Sequence, residues 1–305
     1  MSQTRLNPHF IKRRPPTVPL APAREGRGPP TTTVLPRTRW HGALRPLNAA
    51  LFLVHAAAAG LVLSLSDTDA MEQVYRATIN TSVAGAGAGS GDVSVTIRPG
   101  RPAEFFKLDF ALYTFAFFAI TAAFHGRAAF AHVSYVEGLL SCRNPYRWAE
   151  YAVSASIIAT TVAYFCTVLD GFQLIALVAL TATTMGYGLV AELVARPVDA
   201  HTWSVSLSDR LTPHALGYVP QTVAWVLIFY PFYLNTVDTQ MPRFVYGIVF
   251  GQLAVFWSFG LIQLVVLCGR PSSYVYGEFA YVLLSAAGKL LLGAQLLWNV
   301  LWSRQ

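Results

Sequence analysis

From residue 44 onward the chain is built of long apolar stretches separated by short polar ones. Seven such stretches lie at about 44–66, 107–131, 145–169, 171–195, 214–236, 244–268 and 274–302. Each has room for the roughly 20 apolar residues that a helix needs to cross the hydrocarbon layer. The tightest junction is Leu169-Asp170-Gly171, the only punctuation between the third and fourth stretches. The pattern predicts an all-α membrane protein, a seven-helix bundle. One region follows a different period. Within 67–106, Val74 to Ser82 and Asp92 to Arg98 alternate partly and are rich in Thr, Val and Ile. The run Ala84 to Gly91 between them is a flexible connector. A β-hairpin over the outer face is the expectation there. Residues 1–43 lack hydrophobic periodicity and are rich in Pro, Arg and Thr, so they predict a disordered basic tail ahead of a bundle domain at 44–305.

Composition agrees with the pattern. The chain is 54% hydrophobic and 12% charged, which suits a multi-pass membrane protein. Charge adds an orientation. Residues 1–45 carry nine Lys/Arg against one acid, Glu25. Such a tail reads as a cytoplasmic segment that meets anionic lipid, in preference to a nucleic-acid arm. An odd number of spans puts the two ends on opposite sides. With the N-terminus inside, fifteen Lys/Arg fall inside and six outside, with Lys289 within the last span. This predicts a cytoplasmic N-terminus and an extracellular C-terminus. The three cysteines, Cys142, Cys166 and Cys268, imply no disulfide framework.

The candidate chemistry centres on Lys289, one of only three lysines in the chain. It lies far from both expected ends of the last span, where an ammonium is costly and snorkelling helps little. Two readings stand side by side. In one, the lysine pairs with an acid for packing or faces a water-filled path. In the other, a desolvated amine forms a Schiff base with an aldehyde. A protonated Schiff base needs a nearby anion, and Glu150 is the candidate, although the expected boundaries place it shallower than Lys289. Asn144 and Pro145 precede it as an N-cap and first helical residue. Ser285, four residues before Lys289, shares its helix face. Glu192 is expected to pair with Arg196 at i,i+4, and Asp109 to sit at the interface beside Lys107. His55 and His125 are embedded imidazoles. With His132 they permit a rival reading, a metal-dependent membrane hydrolase, although no HExxH spacing is present.

The motifs then carry a resemblance. Residues 144–156, Asn-Pro-Tyr-Arg-Trp-Ala-Glu-Tyr-Ala-Val-Ser-Ala-Ser, resemble the third-helix signature of the heliorhodopsins, a branch of the microbial rhodopsin-like retinal proteins. Residues 277–289, Gly-Glu-Phe-Ala-Tyr-Val-Leu-Leu-Ser-Ala-Ala-Gly-Lys, resemble their seventh-helix signature. Leu44-Arg45, Asn48 and His55 match the first helix and His125 the second. Leu216-Gly217, Pro220 and Trp225 are similar to the fifth, and Ser258-Phe259 with Gln263 to the sixth. The likeness implies all-trans retinal on Lys289 with Glu150 as counterion. It implies contacts from Ser285, Tyr151, Trp225 and Phe256, and a cavity on the inner side of the chromophore lined by His55 and His125. It also implies a homodimer and an inside N-terminus. Ala58, Trp257 and Ala155 depart from polar residues often found in the family and make the cavities more apolar. The expected function is a light sensor with a slow, deprotonated signalling state and an unidentified cytoplasmic partner, not an enzyme. A light-gated proton path on the same chromophore is the alternative.

Overall fold

In a computed structural model, residues 35–66, 71–84, 94–238 and 240–301 are described. Residues 1–34 of the expected 1–43 tail and residues 85–91 of the expected connector lie outside them, while Arg39 to Ala43 are helix and Ala84 ends a strand. Helix α1, Arg39–Leu65, begins five residues before the first expected stretch. Leu35, just ahead of it, is buried and donates its N–H to the Leu140 carbonyl at 3.1 Å. The chain therefore joins the bundle earlier than its hydropathy suggests.

The second stretch differs most from expectation. Its first residues are strand, and helix α2 runs Phe110–Phe130. Asp109 caps it, its side chain accepting from the Leu112 N–H at 3.0 Å. A short helix α3, His132–Leu139, then turns by 90°. The remaining helices are α4 (Pro145–Phe165), α5 (Gly171–Val194), α6 (Leu207–Asp238), α7 (Arg243–Cys268) and α8 (Tyr274–Leu296). A π turn, Leu297–Leu301, extends α8. The fifth expected stretch thus starts seven residues early, and the polar loop before it is shorter than predicted. With α2 and α3 taken as one bent span, seven helical spans make the bundle.

Five helices are each long and apolar enough to cross a membrane, and the bent α2–α3 pair makes a sixth. Helix α4 is the exception. Its 21 residues span about 31 Å, yet they include Arg147, Glu150, Ser154, Ser156, Thr160 and Thr161, all buried. Its polarity faces protein, where an intramembrane polar group can find partners. Helix α8 is the most enclosed, with half of its span buried against 28% for α1 and α7. Helix α6 carries Pro220 and Pro231 internally. Pro231 has no N–H for the Leu227 carbonyl, and Gln173 of α5 supplies the missing donor at 3.1 Å.

The hairpin is present and longer than expected. Strand β1, Met71–Arg76, pairs antiparallel with β4, Ala103–Asp109, with an irregularity at Val74/Tyr75. Strand β2, Ile79–Ala84, pairs antiparallel with β3, Ser94–Pro99. Gly100 passes so close to Thr78 that a side chain there would overlap it. Val74 and Leu108 are buried against the bundle, and the Tyr75 N–H donates to the Leu169 carbonyl at 2.9 Å. The bundle thus has two ends, a tail end where α1 begins and a hairpin end where it finishes. The main apolar core, including Phe117, Val162, Ile228, Ile248 and Leu292, occupies the hairpin end. A smaller one around Leu44, Tyr135, Leu139 and Val275 occupies the tail end.

Candidate functional site: a buried lysine and its carboxylate

Lys289 and Glu150 meet inside the bundle. The ammonium nitrogen lies 2.7 Å from Glu150 Oε1, and both side chains are about 5% exposed. The depth gap expected from the boundaries is closed by the lysine itself. Helical side chains lean toward the N-terminus of their own helix. Lys289 lies back one turn, its Nζ donating to Ser285 Oγ at 2.8 Å, and so reaches the level of Glu150.

Glu150 is well satisfied. Its Oε1 also accepts from Thr121 of α2 at 2.7 Å and from Ser154, one turn further along α4, at 2.8 Å. A carboxylate in low dielectric needs such donors to remain charged. Ser154 shares a helix face with Glu150 and was open to discovery by spacing alone. Thr121 comes from a different helix, with no local signal. Tyr151, the next residue after Glu150, places its ring 5.3 Å from the ammonium and donates its hydroxyl to the Tyr281 carbonyl.

A narrow cavity opens beside the amine. Lys289, Tyr151, Met185, Gln252, Phe256 and Phe259 are among the residues on its wall, which is almost wholly apolar. Trp225 does not line the cavity; it stands behind Phe256, edge-on at 5.5 Å between ring centres. Gln252 is a surprise. It is 1% exposed, donates its Nε2 to the Gly288 carbonyl at 3.1 Å, and leaves its Oε1 unpartnered among the described residues.

On the tail-end side of the amine lies a polar cavity bounded by Asn48, Thr121, His125, Glu150, Arg147 and Glu278 among others. His125 lines it, with Nδ1 at 2.7 Å from Asn48 Oδ1. His55 does not line it. It stacks behind His125 at 5.2 Å, with Nδ1 held by the Leu51 carbonyl at 2.8 Å. Among the described residues no three His, Cys, Asp or Glu side chains converge as metal ligands. The rival hydrolase reading has therefore lost the constellation it needs.

Below this cavity is a second ionic cluster that sequence reasoning missed. Arg147 pairs with both Glu192 of α5 and Glu278 of α8, all of them buried. Tyr274 donates its hydroxyl to Glu192 at 2.9 Å, and Tyr135 donates to Glu278 at 2.8 Å. Asn144 caps α4 as expected, accepting from the Arg147 N–H at 3.1 Å, and its Nδ2 donates to Glu278 at 2.8 Å. The expected Glu192–Arg196 pair is not formed. Glu192 points into the bundle, where Arg147, Tyr274 and the Asn144 N–H all donate to it, while the Arg196 guanidinium donates to the Leu193 carbonyl at 3.2 Å. The aromatic ring of Trp148 packs against Gly188 of α5, where any side chain would displace it.

A multi-pass helical bundle with one interior lysine, a facing carboxylate and an apolar cavity beside the amine has the architecture of a microbial rhodopsin-type retinal protein. Comparison with known families agrees. The family model described as Heliorhodopsin matches residues 44–301, and the chain belongs to that family. No curated protein matches the chain. The chain is accordingly an integral, multi-pass membrane protein with a retinal chromophore.

Proposed function

We propose that this protein is a light sensor in which Lys289 holds all-trans retinal as a Schiff base and Glu150 is the counterion. Bound there, retinal supplies a photoisomerisable polyene whose linkage nitrogen changes its proton affinity in light. The observation that carries the assignment is the 2.7 Å Lys289–Glu150 pair at the wall of an apolar cavity. The residues fit the group. The amine is the only interior lysine among the described residues, the cavity beside it is apolar and aromatic, and its charge is balanced by one carboxylate.

The chain's own groups then divide the work. Ser285 and Glu150 fix the position of the linkage nitrogen. Thr121 and Ser154 hold Glu150 ionised. Tyr151, Phe256 and Met185 exclude water from the polyene, and Trp225 keeps Phe256 in place. His125, with His55 stacked behind it, offers a neutral acceptor for a proton leaving toward the tail end. The charge asymmetry supports placing the tail end in the cytoplasm and the C-terminus outside. The resemblance supports a homodimer and a cytoplasmic signalling partner, and no catalytic turnover is assigned.

Sensing is favoured over proton conduction by the distribution of polar groups. Ionisable side chains fill the tail-end half, from Glu150 and His125 to Arg147, Glu192 and Glu278. The hairpin-end core contributes no buried acid, lysine, arginine or histidine among the described residues. Its threonines are spent on their own helices, Thr114 on Phe110 and Thr161 on Ile157. A proton therefore has a polar route to one side only. The deciding experiment is expression of the full chain with all-trans retinal, followed by an absorption spectrum and voltage-clamp recording. A visible band without photocurrent is expected. Colourless protein overturns the assignment, and a sustained photocurrent replaces sensing with conduction.

A further inference from the structure

A second cavity lies between α5, α6 and α7. It shares Met185, Phe256 and Phe259 as walls with the cavity beside Lys289. A long ligand tethered at Lys289 and filling the first cavity therefore extends toward the second. The two differ in chemistry. The first is nearly all apolar. The second is faced by His214, Gln221 and Gln263, all buried, together with Tyr187 and Tyr218.

The hydrogen bonds in this wall fix the state of His214. Gln263 donates its Nε2 to the Gly188 carbonyl at 2.9 Å, so its Oε1 is the free acceptor. His214 Nδ1 lies 3.2 Å from that oxygen and must be the ring nitrogen that carries the proton. In neutral imidazole the other nitrogen is then an acceptor. His214 is 7% exposed, and its Nε2 is buried with no partner among the described residues. A buried acceptor left alone carries a desolvation cost that a suitable donor removes. An all-hydrocarbon ring offers no such donor. A ring bearing a hydroxyl does.

We propose that this cavity receives the ring end of the chromophore and that His214 Nε2 selects a ring-hydroxylated retinal over retinal itself. The inference rests on the retinal-binding reading above and names the ligand class at its far end. His214 is a specificity residue here, with Gln263 as the positioning residue that sets its tautomer. A neutral hydrogen bond made to an otherwise unpaired buried acceptor corresponds to a preference of about three- to tenfold.

The test uses the full-length apoprotein from cells grown without retinoids. It is offered limiting mixtures of retinal with 3-hydroxyretinal, and separately with 4-hydroxyretinal. The bound retinoids are released and quantified by chromatography, which reads occupancy independently of any photochemistry. Enrichment of either hydroxylated form by about three- to tenfold is expected in the wild type. The ratio should return to about one in His214→Phe, and fall partway in Gln263→Leu, where the ring can turn over. If His214→Phe does not fold, the wild-type ratio still decides. Equal uptake of all three retinoids by the wild type overturns this inference and leaves the Lys289 assignment standing, with water as the partner of Nε2. Uptake of none of them overturns the retinal-binding reading itself.

Discussion

The two halves of the bundle, divided at Lys289, solve the same problem of burial in opposite ways. The hairpin-end half is closed by packing. Phe117, Val162, Ile248 and Leu292 interlock there, and polar side chains are few and turned back on their own helices. The tail-end half is held by charge. Arg147 joins α4, α5 and α8 through Glu192 and Glu278, and a polar cavity separates that cluster from the Lys289–Glu150 pair. The contrast shows why only one of the two ionic sites suits chemistry. Arg147 is always protonated and forks between two carboxylates, so it is a fixed clamp. An amine can lose its proton and form a covalent bond, and Lys289 has a cavity beside it in which to do so.

Substitutions can break or sharpen this contrast, and the largest effect belongs at the amine. Lys289→Ala should abolish the visible band altogether in protein expressed with all-trans retinal; retained colour would refute the attachment site. Glu150→Gln should shift that band strongly or remove it. An unchanged spectrum would place the counterion elsewhere. At the tail end, Arg147→Met leaves two buried carboxylates without their cation. A loss of about 3–5 kcal/mol of stability is expected in thermal or denaturant unfolding, with pigment formation retained where the protein folds. At the hairpin end, Leu292→Ala should cost about 2 kcal/mol through lost packing, with no change in colour. The smallest effect is that of Tyr274→Phe, which removes one hydrogen bond to Glu192 and should cost about 1 kcal/mol. If Arg147→Met and Leu292→Ala prove equally mild, the tail end is not held by its charges.

Much of this is legible from the chain. Helix number follows from apolar length, and the hairpin from alternation around a glycine-rich connector. Lys289 stands out because an ammonium in the middle of an apolar span is too costly to persist without a use. Ser285 follows from helical spacing. The misses share a cause. Arg147 reads only as a charge near a helix start, and Glu278 only as a marker of a helix end, because their partners are far away in sequence. Glu192 reads as a partner of Arg196 because proximity along one helix is the only pairing a sequence displays. Thr121, Gln252 and His214 carry no motif at all. Trp225 stands behind Phe256, since a match to a helix pattern does not say which side chain stands in front.

The sequence by itself determined which segments are apolar enough for the membrane and which one lysine lies within them. Both depend on local composition, because the bilayer excludes charge and unsatisfied backbone wherever they occur. Tertiary structure alone decided which acids face Arg147, which hydroxyls hold Glu150, and which acceptor is left without a donor. Those depend on the rotation and height of each helix against its neighbours. They are set by packing across the bundle, and residues more than a hundred positions apart become hydrogen-bonded partners there.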